Sequence, residues 1–544
     1  MLRGLMMDEP LLISAILQHA ARNHADTEII SRTVEAGIHR YGYADCSTRA
    51  KKLAQALSRL GVGAGDRIGT LAWNGFRHLE LYYGVSGMGA VTHTINPRLF
   101  VEQITYIINH AEDRYVFFDI NLAPLVEKIA PSCPTVRGWV AMTDAAHRPT
   151  GPIPGLLVYE DLIATEDGKY DWPQLDEYTA SGLCYTSGTT GNPKGVLYHH
   201  RSSVLHAMGA SMPDVFGISA KDTVLPVVPM FHVNAWGIPY FGVMNGARLV
   251  FPGAALDAKS LYELFESERV TVTAGVPTVW MNLLTYMREN KLRFSTLTRA
   301  VVGGSACPPA MITEFASFGV DAMHAWGMTE MSPLGTFNTP KAKHLAMSNE
   351  AQFALKQKQG RNIFGVAMKI VDGDGRQMPD DGRAFGDLLV RGYWVTKGYF
   401  KDEGGNILRN GWFPTGDVAT IDADGFMMIT DRSKDVVKSG GEWISSIELE
   451  NVAVAHPAVA EAAVIAARHE KWDERPLLIV VTKKGSSVTK EELLRFYEGK
   501  VAKWCIPDDV VFVSELPHTA TGKLLKTKLR EVFSNHLFGP SSSA

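Results

Sequence analysis

Cysteine is scarce in this chain of 544 residues, and the five that occur lie far apart. No two of them have the Cys-x-x-Cys spacing of a zinc or redox site, and no group of histidines lies nearby in the sequence. A disulfide framework and a cysteine-based metal centre are therefore not expected. The thiols predicted to serve as small apolar side chains in a reducing cytoplasm are Cys46, Cys133, Cys184, Cys307 and Cys505.

Long apolar runs and an excess of one charge are also missing. No stretch of about eighteen apolar residues occurs, so no membrane-spanning helix is expected. Basic and acidic residues nearly balance, with a formal net charge of −4, which does not favour nucleic acid as a partner. The N-terminus has one early arginine followed by an acidic pair, unlike a signal peptide. We therefore expect a cytoplasmic protein.

The length and the order of elements predict an α/β fold of at least two domains. Single hydrophobic cores stop growing at about 250–300 residues. Strand-like and helix-like segments alternate through most of the chain, which favours parallel sheets covered by helices. The elements become shorter towards the C-terminus, as in a small α+β domain. We predict a large N-terminal domain of mostly parallel sheets over residues 1–431 and a small C-terminal domain over residues 432–544.

Several elements can be placed individually. Apolar, β-branched runs predict strands at 223–228, 247–251, 271–276, 299–302, 425–430, 460–467 and 477–482. A proline near the first turn predicts a helix over 277–290. The capping-box pattern, Ser or Thr followed three residues later by Glu, predicts helices that open at Ser260, Ser445 and Thr489.

The segment from Tyr185 to Gly195 is rich in glycine and hydroxyl groups and reads Tyr-Thr-Ser-Gly-Thr-Thr-Gly-Asn-Pro-Lys-Gly. Glycines let the backbone approach a bulky anion, and hydroxyl groups and a lysine supply donors and charge. Pro193 breaks the Gly-Lys-Ser/Thr register that a Walker A loop needs. The segment predicts a phosphate-binding loop whose candidate ligands are Thr186, Ser187, Gly188, Thr189, Thr190 and Lys194.

This loop resembles the nucleotide loop of the adenylate-forming superfamily, which includes acyl-CoA synthetases, firefly-type luciferases and peptide-synthetase adenylation domains. Other segments resemble the family's remaining motifs and follow in the family's order, so the resemblance spans nearly the whole chain. The likeness is greatest to fatty acyl-CoA synthetases of the medium-chain and 3-methylmercaptopropionate type. The further motif segments are 231–236, 303–306, 326–330, 415–417, 431–434, 438–442 and 521–523.

The resemblance implies a reaction of ATP and Mg²⁺ with a carboxylic acid, followed by transfer of the acyl group to coenzyme A. It implies that Glu330, a catalytic candidate, and Thr189 hold the metal. Asp417 and Arg432 would bind the ribose, and Trp326 would stack on adenine where the family usually has Tyr. The other residues implied for the nucleotide site are Gly304, Ser305, Ala306, Gly327, Met328 and Thr329.

The resemblance also implies a mobile C-terminal domain that takes part in both steps. Lys523 would bridge the substrate carboxylate and the α-phosphate during adenylation. Lys434 lies at the family's hinge position, about which the small domain would rotate. Rotation would then present a thiolation loop with Lys438 as a catalytic candidate. The residues of this loop are Lys438, Ser439, Gly440, Gly441, Glu442 and Trp443.

The predicted acyl pocket is largely apolar. His232 and Trp236 are four residues apart and would share one face of a helix. In fatty acyl-CoA synthetases with the same run, the tryptophan looks like a gate between the ATP site and the acyl tunnel. Because the lining is apolar, we expect a short- or medium-chain acid, either fatty or thioether. The other lining residues implied are Val233, Gly303, Met331 and Pro333.

Three other functions remain open on the sequence. An amino-acid or aryl-acid adenylation domain shares the motifs, although it usually has Asp where His232 stands, and no carrier module follows residue 532. A luciferase-like oxygenase shares the fold and the first step. A non-enzymatic nucleotide-binding protein would not need Glu330, Lys438 and Lys523 together. The expected partners are the acid, ATP and coenzyme A, and relatives of this kind are often homodimers.

Overall fold

The computed structural model describes residues 2–186, 192–402, 405–439, 442–518 and 524–537, with the side chains of Asp402, Glu442 and Trp443 left out. The chain divides into two compact units. The first comprises the described parts of Met1–Gly188, Asn192–Ala367 and Arg391–Leu408. The second comprises the described parts of Met368–Val390 and Arg409–Ala544.

Both units contain β-strands. In chain order they are β1 (Glu28–Arg32), β2 (Ile38–Gly42), β3 (Arg67–Leu71), β4 (Val91–Thr94), β5 (Tyr115–Phe118), β6 (Gly138–Ala141), β7 (Leu156–Val158), β8 (Ala180–Tyr185), β9 (Gly195–His199), β10 (Thr223–Pro226), β11 (Arg248–Phe251), β12 (Val272–Gly275), β13 (Arg299–Val302), β14 (Asp321–Gly327), β15 (Leu334–Phe337), β16 (Gly360–Asn362), β17 (Val366–Val371), β18 (Phe385–Gly392), β19 (Phe413–Ile421), β20 (Phe426–Arg432), β21 (Val437–Ser439), β22 (Glu442–Ile444), β23 (Val459–His469), β24 (Asp473–Thr482) and β25 (Asp509–Phe512).

Helices lie between many of these strands in the chain. They are α1 (Ile13–Asn23), α2 (Tyr43–Arg59), α3 (Phe76–Gly87), α4 (Val101–Ala111), α5 (Ala123–Ile129), α6 (Tyr159–Ala164), α7 (His200–Ser211), α8 (Ile238–Met244), α9 (Ala258–Ser267), α10 (Pro277–Glu289), α11 (Pro309–Ser317), α12 (Ala342–Leu345), α13 (Asn349–Lys356), α14 (Ser446–Val454), α15 (Lys490–Phe496) and α16 (Lys526–Phe533).

Two mostly parallel sheets form the first unit. One has the strand order β7-β6-β5-β3-β4-β8-β9, and only β9 is antiparallel to its neighbour. The other runs β16-β15-β14-β13-β12-β10-β11-β1-β2, with parallel pairing from β14 to β1. The core of this second sheet includes fully buried side chains of α9, α10 and α11, such as Leu261, Trp280 and Phe315. The predicted α/β fold with helix-covered parallel sheets is confirmed.

The second unit combines an antiparallel group of strands with a small α+β module. Its strands β17-β18-β19-β20 follow one another in order, and β18, β19 and β20 are antiparallel. The module has the order β22-β21-β24-β23, with β25 parallel to β24. Strand β20 runs on to Arg432, so the predicted boundary after residue 431 falls at the end of a strand. That boundary stays a prediction.

Two of the three predicted helix starts are confirmed and one is wrong. The Ser445 and Thr489 side chains accept hydrogen bonds from the backbone N–H groups of Glu448 and Glu492, at the starts of α14 and α15. Helix α9 instead begins at Ala258, because the Asp257 side chain caps it by accepting the N–H of Ser260 at 2.9 Å. Asp is at least as good a cap as Ser, and it comes three residues earlier.

None of the helices in the described ranges combines the length and the apolar character that a bilayer crossing would require.

Candidate active site

The base of the predicted phosphate loop is a β-hairpin between β8 and β9. The Thr186 N–H donates to the Lys194 carbonyl at 2.9 Å, and the Lys194 N–H donates to the Thr186 hydroxyl at 3.2 Å. This pair of hydrogen bonds fixes where the loop leaves and re-enters the sheet. The predicted ligands Ser187, Gly188, Thr189 and Thr190 lie outside the described residues.

Lys194 and Glu330 are connected through a residue that the motifs do not contain. The Lys194 ammonium lies 5.0 Å from the centre of the Tyr399 ring. The Tyr399 hydroxyl donates to Glu330 Oε1 at 2.8 Å. A cation over an aromatic face is attracted by the ring quadrupole. The structure therefore brings the loop lysine to the ring face and the predicted metal ligand to the hydroxyl of one tyrosine.

Glu330 lies in a short 3₁₀ turn, Thr329–Met331, that follows β14. The turn is fixed at two carbonyls: Tyr198 donates its hydroxyl to Thr329 O at 2.6 Å, and the Thr396 N–H donates to Glu330 O at 2.8 Å. The Glu330 residue is only 7% exposed. A buried, oriented carboxylate suits a hard cation such as Mg²⁺, which prefers oxygen ligands.

Trp326 lies immediately before this turn and is tightly packed. It ends the regular part of β14, is 8% exposed, and its ring packs against Gly335, where an added Cβ would come within 2.6 Å of the indole. Gly327 is equally restricted, since a Cβ there would lie 2.0 Å from the Pro333 carbonyl oxygen. Met331 is fully buried and also lies beside Gly335. The predicted residues Trp326, Gly327, Met331 and Pro333 therefore belong to one packed group.

The predicted acyl gate residue lies beside the first glycine after β13. A Cβ on Gly303 would be 3.0 Å from Cη2 of the Trp236 indole. Gly304 adopts a left-handed φ of +81°, and the following Ser305 and Ala306 are exposed. The structure thus brings Trp236 and Gly303 together, whereas their role in an acyl pocket stays a prediction.

The backbone from Val233 to Trp236 is not the predicted right-handed helix. All four of its φ angles are positive, between 46° and 57°, and helix α8 begins only at Ile238. Left-handed backbone costs about 1–2 kcal/mol per non-glycine residue, so buried contacts must hold it. One of them is the Tyr82 hydroxyl, which donates to the Asn234 side-chain oxygen at 3.1 Å. His232 is half-buried, and the face-sharing argument for His232 and Trp236 is wrong.

His206 of α7 packs against the glycine that ends this turn. A Cβ on Gly237 would be 2.6 Å from His206 Cε1, and the ring meets Trp394 edge-on at 5.6 Å between centroids. His206 Nε2 accepts the Leu334 N–H at 3.3 Å. Burial lowers the pKa of His206 to about 3, so the ring is neutral at physiological pH. His206 was not predicted as a site residue, since an isolated histidine in a helix has no distinguishing pattern.

The buried, neutral His206 predicts a pH-dependent difference in stability. Its pKa lies below the usual 6.5, so its contribution is present above pH 6.5 and is lost as pH falls towards 3. The variant His206→Gln has no titrating group at this position, so it should not lose stability in this way as pH falls. The difference in unfolding free energy between wild type and variant should change by about 1.4 kcal/mol per pH unit over this range. Denaturant unfolding at several pH values measures it, and parallel curves would contradict it.

In the second unit, the two residues predicted to bind ribose pair with each other. Arg432 Nε lies 2.8 Å from Asp417 Oδ1, across paired strands β19 and β20. Asp417 is 2% exposed, and its N–H donates to the Thr415 hydroxyl at 3.1 Å. The sequence reasoning missed this ion pair, since it depends on the register of the two strands.

The predicted thiolation loop joins β21 to β22. The Lys438 N–H donates to Glu474 Oε2 at 2.8 Å, and Lys438 lies opposite Trp443 in the strand register. Ser439 Oγ accepts from Arg475 at 3.2 Å. Only the backbone of Glu442 and Trp443 is described, whereas Gly440 and Gly441 lie outside the described residues. The hinge candidate Lys434 is exposed, in a turn after β20.

Lys523 also lies outside the described residues, but the base of its loop is described. A backbone bridge joins His518 to Leu524, and the Leu525 N–H donates to Pro517 O at 2.8 Å. Helix α16 then begins at Lys526. Whatever the loop does, its two ends are held next to each other.

Comparison with known proteins places the chain in a family. Residues 17–400 match the model of the AMP-binding enzyme family, and residues 448–523 match that of the AMP-binding enzyme C-terminal domain. The chain belongs to the AMP-binding enzyme family. The predicted adenylate-forming enzyme of the acid–thiol ligase class is confirmed by this match together with the CoA ligases among its relatives.

Individual relatives resemble this AMP-binding enzyme over its whole length. It is 54% identical to a medium-chain-fatty-acid–CoA ligase of Ectopseudomonas oleovorans, over 99% of each chain. It is 55% identical to a 3-methylmercaptopropionyl-CoA ligase of Ruegeria pomeroyi, over 98% of this chain and 100% of the relative. A crystal structure of an anthranilate CoA ligase in complex with anthranoyl-AMP matches with a TM-score of 0.84 and 26% identity, covering 96% of this chain and 98% of that one.

Proposed function

We propose that this enzyme joins an apolar carboxylic acid of short or medium length to coenzyme A, through an acyl-adenylate. The observation that carries the proposal is the likeness over the full length to two ligases whose acids, medium-chain fatty and 3-methylmercaptopropionic, are both apolar. The local geometry agrees, since the indole of Trp236 and Gly303 form an apolar contact where the acyl pocket is expected.

In the first step a carboxylate oxygen attacks the α-phosphorus of ATP, the bond to the β-phosphate breaks, and pyrophosphate leaves. Both reactants are anions, so positive groups must neutralise charge and hold them in line. Lys194 would contact the phosphates from the hairpin base, and Lys523 would stabilise charge as it develops between carboxylate and α-phosphate. Asp417 and Arg432 would hold the ribose, and Trp326 the adenine. These roles rest on the motif positions.

The donor set suits ATP with Mg²⁺. Glu330 is a nearly buried carboxylate on a turn fixed by Tyr198 and Thr396, and it would hold the ion together with Thr189. Bound there, Mg²⁺ would offset the negative charge of the phosphates. The residues of the chain set the position of the carboxylate before the ion arrives.

In the second step the coenzyme A thiolate attacks the acyl carbonyl carbon, the bond to the AMP oxygen breaks, and AMP leaves. We propose that the second unit changes position between the steps about Lys434. Lys438 to Trp443 would then flank the thiol. The sequence between β21 and β22 has two glycines, Gly440 and Gly441, which would permit close approach of the pantetheine chain.

An apolar acyl pocket implies that kcat/KM should vary with the chain length of the acid. Each buried CH₂ contributes about 0.8 kcal/mol, so kcat/KM should rise about fourfold per CH₂ until the pocket ends. We expect the increase to stop within the medium-chain range, because the chain is 54% identical to a medium-chain-fatty-acid–CoA ligase over its whole length. Acid-dependent pyrophosphate release across straight-chain acids measures the series.

Pentanoate and 3-methylmercaptopropionate form a matched pair in that series, since the thioether acid has sulfur in place of one CH₂. A clear preference for the thioether acid would identify it as the substrate class, and equal rates would favour fatty acids of greater length. An aromatic or amino acid preferred over every straight-chain acid would contradict the proposed pocket. Omission of coenzyme A should leave pyrophosphate release to a single turnover and abolish acyl-CoA formation.

We also propose that the enzyme is a homodimer located in the cytoplasm, as expected for an enzyme of this kind. Size-exclusion chromatography with light scattering measures the first, and fractionation of the source cells the second.

A further inference from the structure

Tyr399 belongs to a segment of the first unit, residues 396–401, that is held at both ends. At one end the Thr396 N–H donates to the Glu330 carbonyl. At the other, the Lys401 ammonium lies 2.6 Å from Glu112 Oε1. Phe400 packs close to the loop hairpin, since a Cβ on Gly195 would be 3.0 Å from Phe400 Cβ. The segment therefore fixes the backbone on both sides of Tyr399.

The side chain of Tyr399 makes two contacts of different chemistry. Its hydroxyl donates to Glu330 Oε1 at 2.8 Å, and its ring lies under the Lys194 ammonium at 5.0 Å. The ring also packs against a small buried cluster of Cys184, Val196 and Tyr198. A phenylalanine ring would make the same packing contacts. The hydroxyl is therefore needed only for the hydrogen bond to Glu330.

We propose that Tyr399 is a positioning residue for the metal–phosphate part of the site; this inference rests on the proposed function. By donating to Oε1, the hydroxyl fixes the rotation of the Glu330 carboxylate. Groups that orient a metal ligand in this way commonly affect metal affinity by about 10–100-fold. The ring holds the Lys194 ammonium over its face, beside the loop that is expected to bind phosphate. One side chain thus sets the relative position of the carboxylate expected to bind the metal and the ammonium expected to contact phosphate.

The two contacts can be separated with two variants. Tyr399→Phe keeps the ring and removes the hydroxyl, whereas Tyr399→Leu removes both. We expect Tyr399→Phe to raise the Mg²⁺ concentration that half-saturates metal-dependent ATP binding by about 10–100-fold. Its affinity for ATP in the presence of EDTA should equal that of wild type. Tyr399→Leu should also weaken metal-free ATP binding, by about 2- to 30-fold.

Binding is measured by isothermal titration calorimetry of ATP at fixed Mg²⁺ concentrations, and Mn²⁺ binding by electron paramagnetic resonance gives a second readout. Tyr262→Phe is the matched control, because it removes a hydroxyl that donates to the Arg293 carbonyl at 2.9 Å elsewhere in the unit. It should leave the Mg²⁺ dependence unchanged. In a Glu330→Gln background, Tyr399→Phe should have no further effect on metal dependence, because the carboxylate it orients is gone.

The outcomes distinguish failure of this inference from failure of the proposed function. If wild type binds ATP in a Mg²⁺-dependent way and Tyr399→Phe binds it with the same dependence, the positioning role is overturned while the ligase proposal stands. If wild type binds no ATP with or without metal, the proposed function itself fails. An effect of Tyr399→Phe that persists in the Glu330→Gln background would show packing rather than orientation of the carboxylate, and would also overturn the inference.

Discussion

Replacement of Lys523 by alanine is expected to slow acyl-adenylate formation by a factor of about 10²–10³. The reason is that the attacking carboxylate and the α-phosphate are both negative, and a lysine from the loop between His518 and Leu524 is the proposed group that neutralises the charge between them. The loss should appear in kcat for acid-dependent pyrophosphate release. Binding of ATP in the ground state should change much less, because the contact strengthens only as charge develops.

The control and the second half-reaction make this prediction specific. Lys528 is an exposed lysine in α16, so Lys528→Ala should keep wild-type pyrophosphate release. If the second unit moves between the steps, Lys523→Ala supplied with synthetic acyl-AMP should still form acyl-CoA at nearly the wild-type rate. Equal loss of both half-reactions would contradict the domain alternation, and no loss of either would contradict the role of Lys523.

Replacement of Lys526 by methionine is expected to destabilise the protein by about 3–5 kcal/mol, as removal of one partner from a buried ion pair commonly does. The Lys526 side chain is 9% exposed, and its ammonium lies 2.6 Å from Glu450 Oε1 and 2.5 Å from Ser446 Oγ. The Ser446 hydroxyl in turn donates to Asp431 at 3.0 Å. Removing the Lys526 ammonium leaves the carboxyl groups of Glu450 and Asp431 without its positive charge. Urea unfolding of wild type and variant measures the loss.

The pH dependence of this loss has a defined sign. Burial raises the pKa of Glu450, and the charge of Lys526 opposes that rise, so the variant should have a still higher Glu450 pKa. A raised carboxyl pKa means that stability is complete below the unfolded value of 4.5 and is lost as pH rises through the folded value. The deficit of Lys526→Met should therefore shrink in acid. The double variant Lys526→Met/Glu450→Gln should recover part of the loss, and additive losses would contradict direct coupling.

The fold could be predicted where local signals marked both ends of an element. The predicted strand at 299–302 is confirmed as β13, because an apolar run there begins after Arg299 and ends at the pair Gly303-Gly304. Helix α10 was placed within one residue, since Pro277 marks its first turn. The start of α9 was misplaced, because Asp257 and Ser260 are both good caps and the sequence does not decide which side chain accepts the hydrogen bond.

The residues of the site could be predicted from motifs, but the contacts between them could not. The left-handed turn at Val233–Trp236 depends on buried partners such as Tyr82, which lies 152 residues from Asn234 in the chain. The link from Tyr399 to Glu330 joins residues 69 positions apart and outside any common motif. Likewise the Asp417–Arg432 pair follows from the register of β19 and β20. Such contacts come from tertiary packing, which local patterns do not encode.

An isotope-transfer experiment tests the central claim most directly. The acid is supplied with ¹⁸O in both carboxylate oxygens, together with ATP, Mg²⁺ and coenzyme A, and the products are analysed by mass spectrometry. If the carboxylate attacks the α-phosphorus and the thiolate then displaces AMP, one labelled oxygen must appear in AMP and the other in the thioester carbonyl. Label in inorganic phosphate or pyrophosphate, or unlabelled AMP formed along with acyl-CoA, would contradict the acyl-adenylate route.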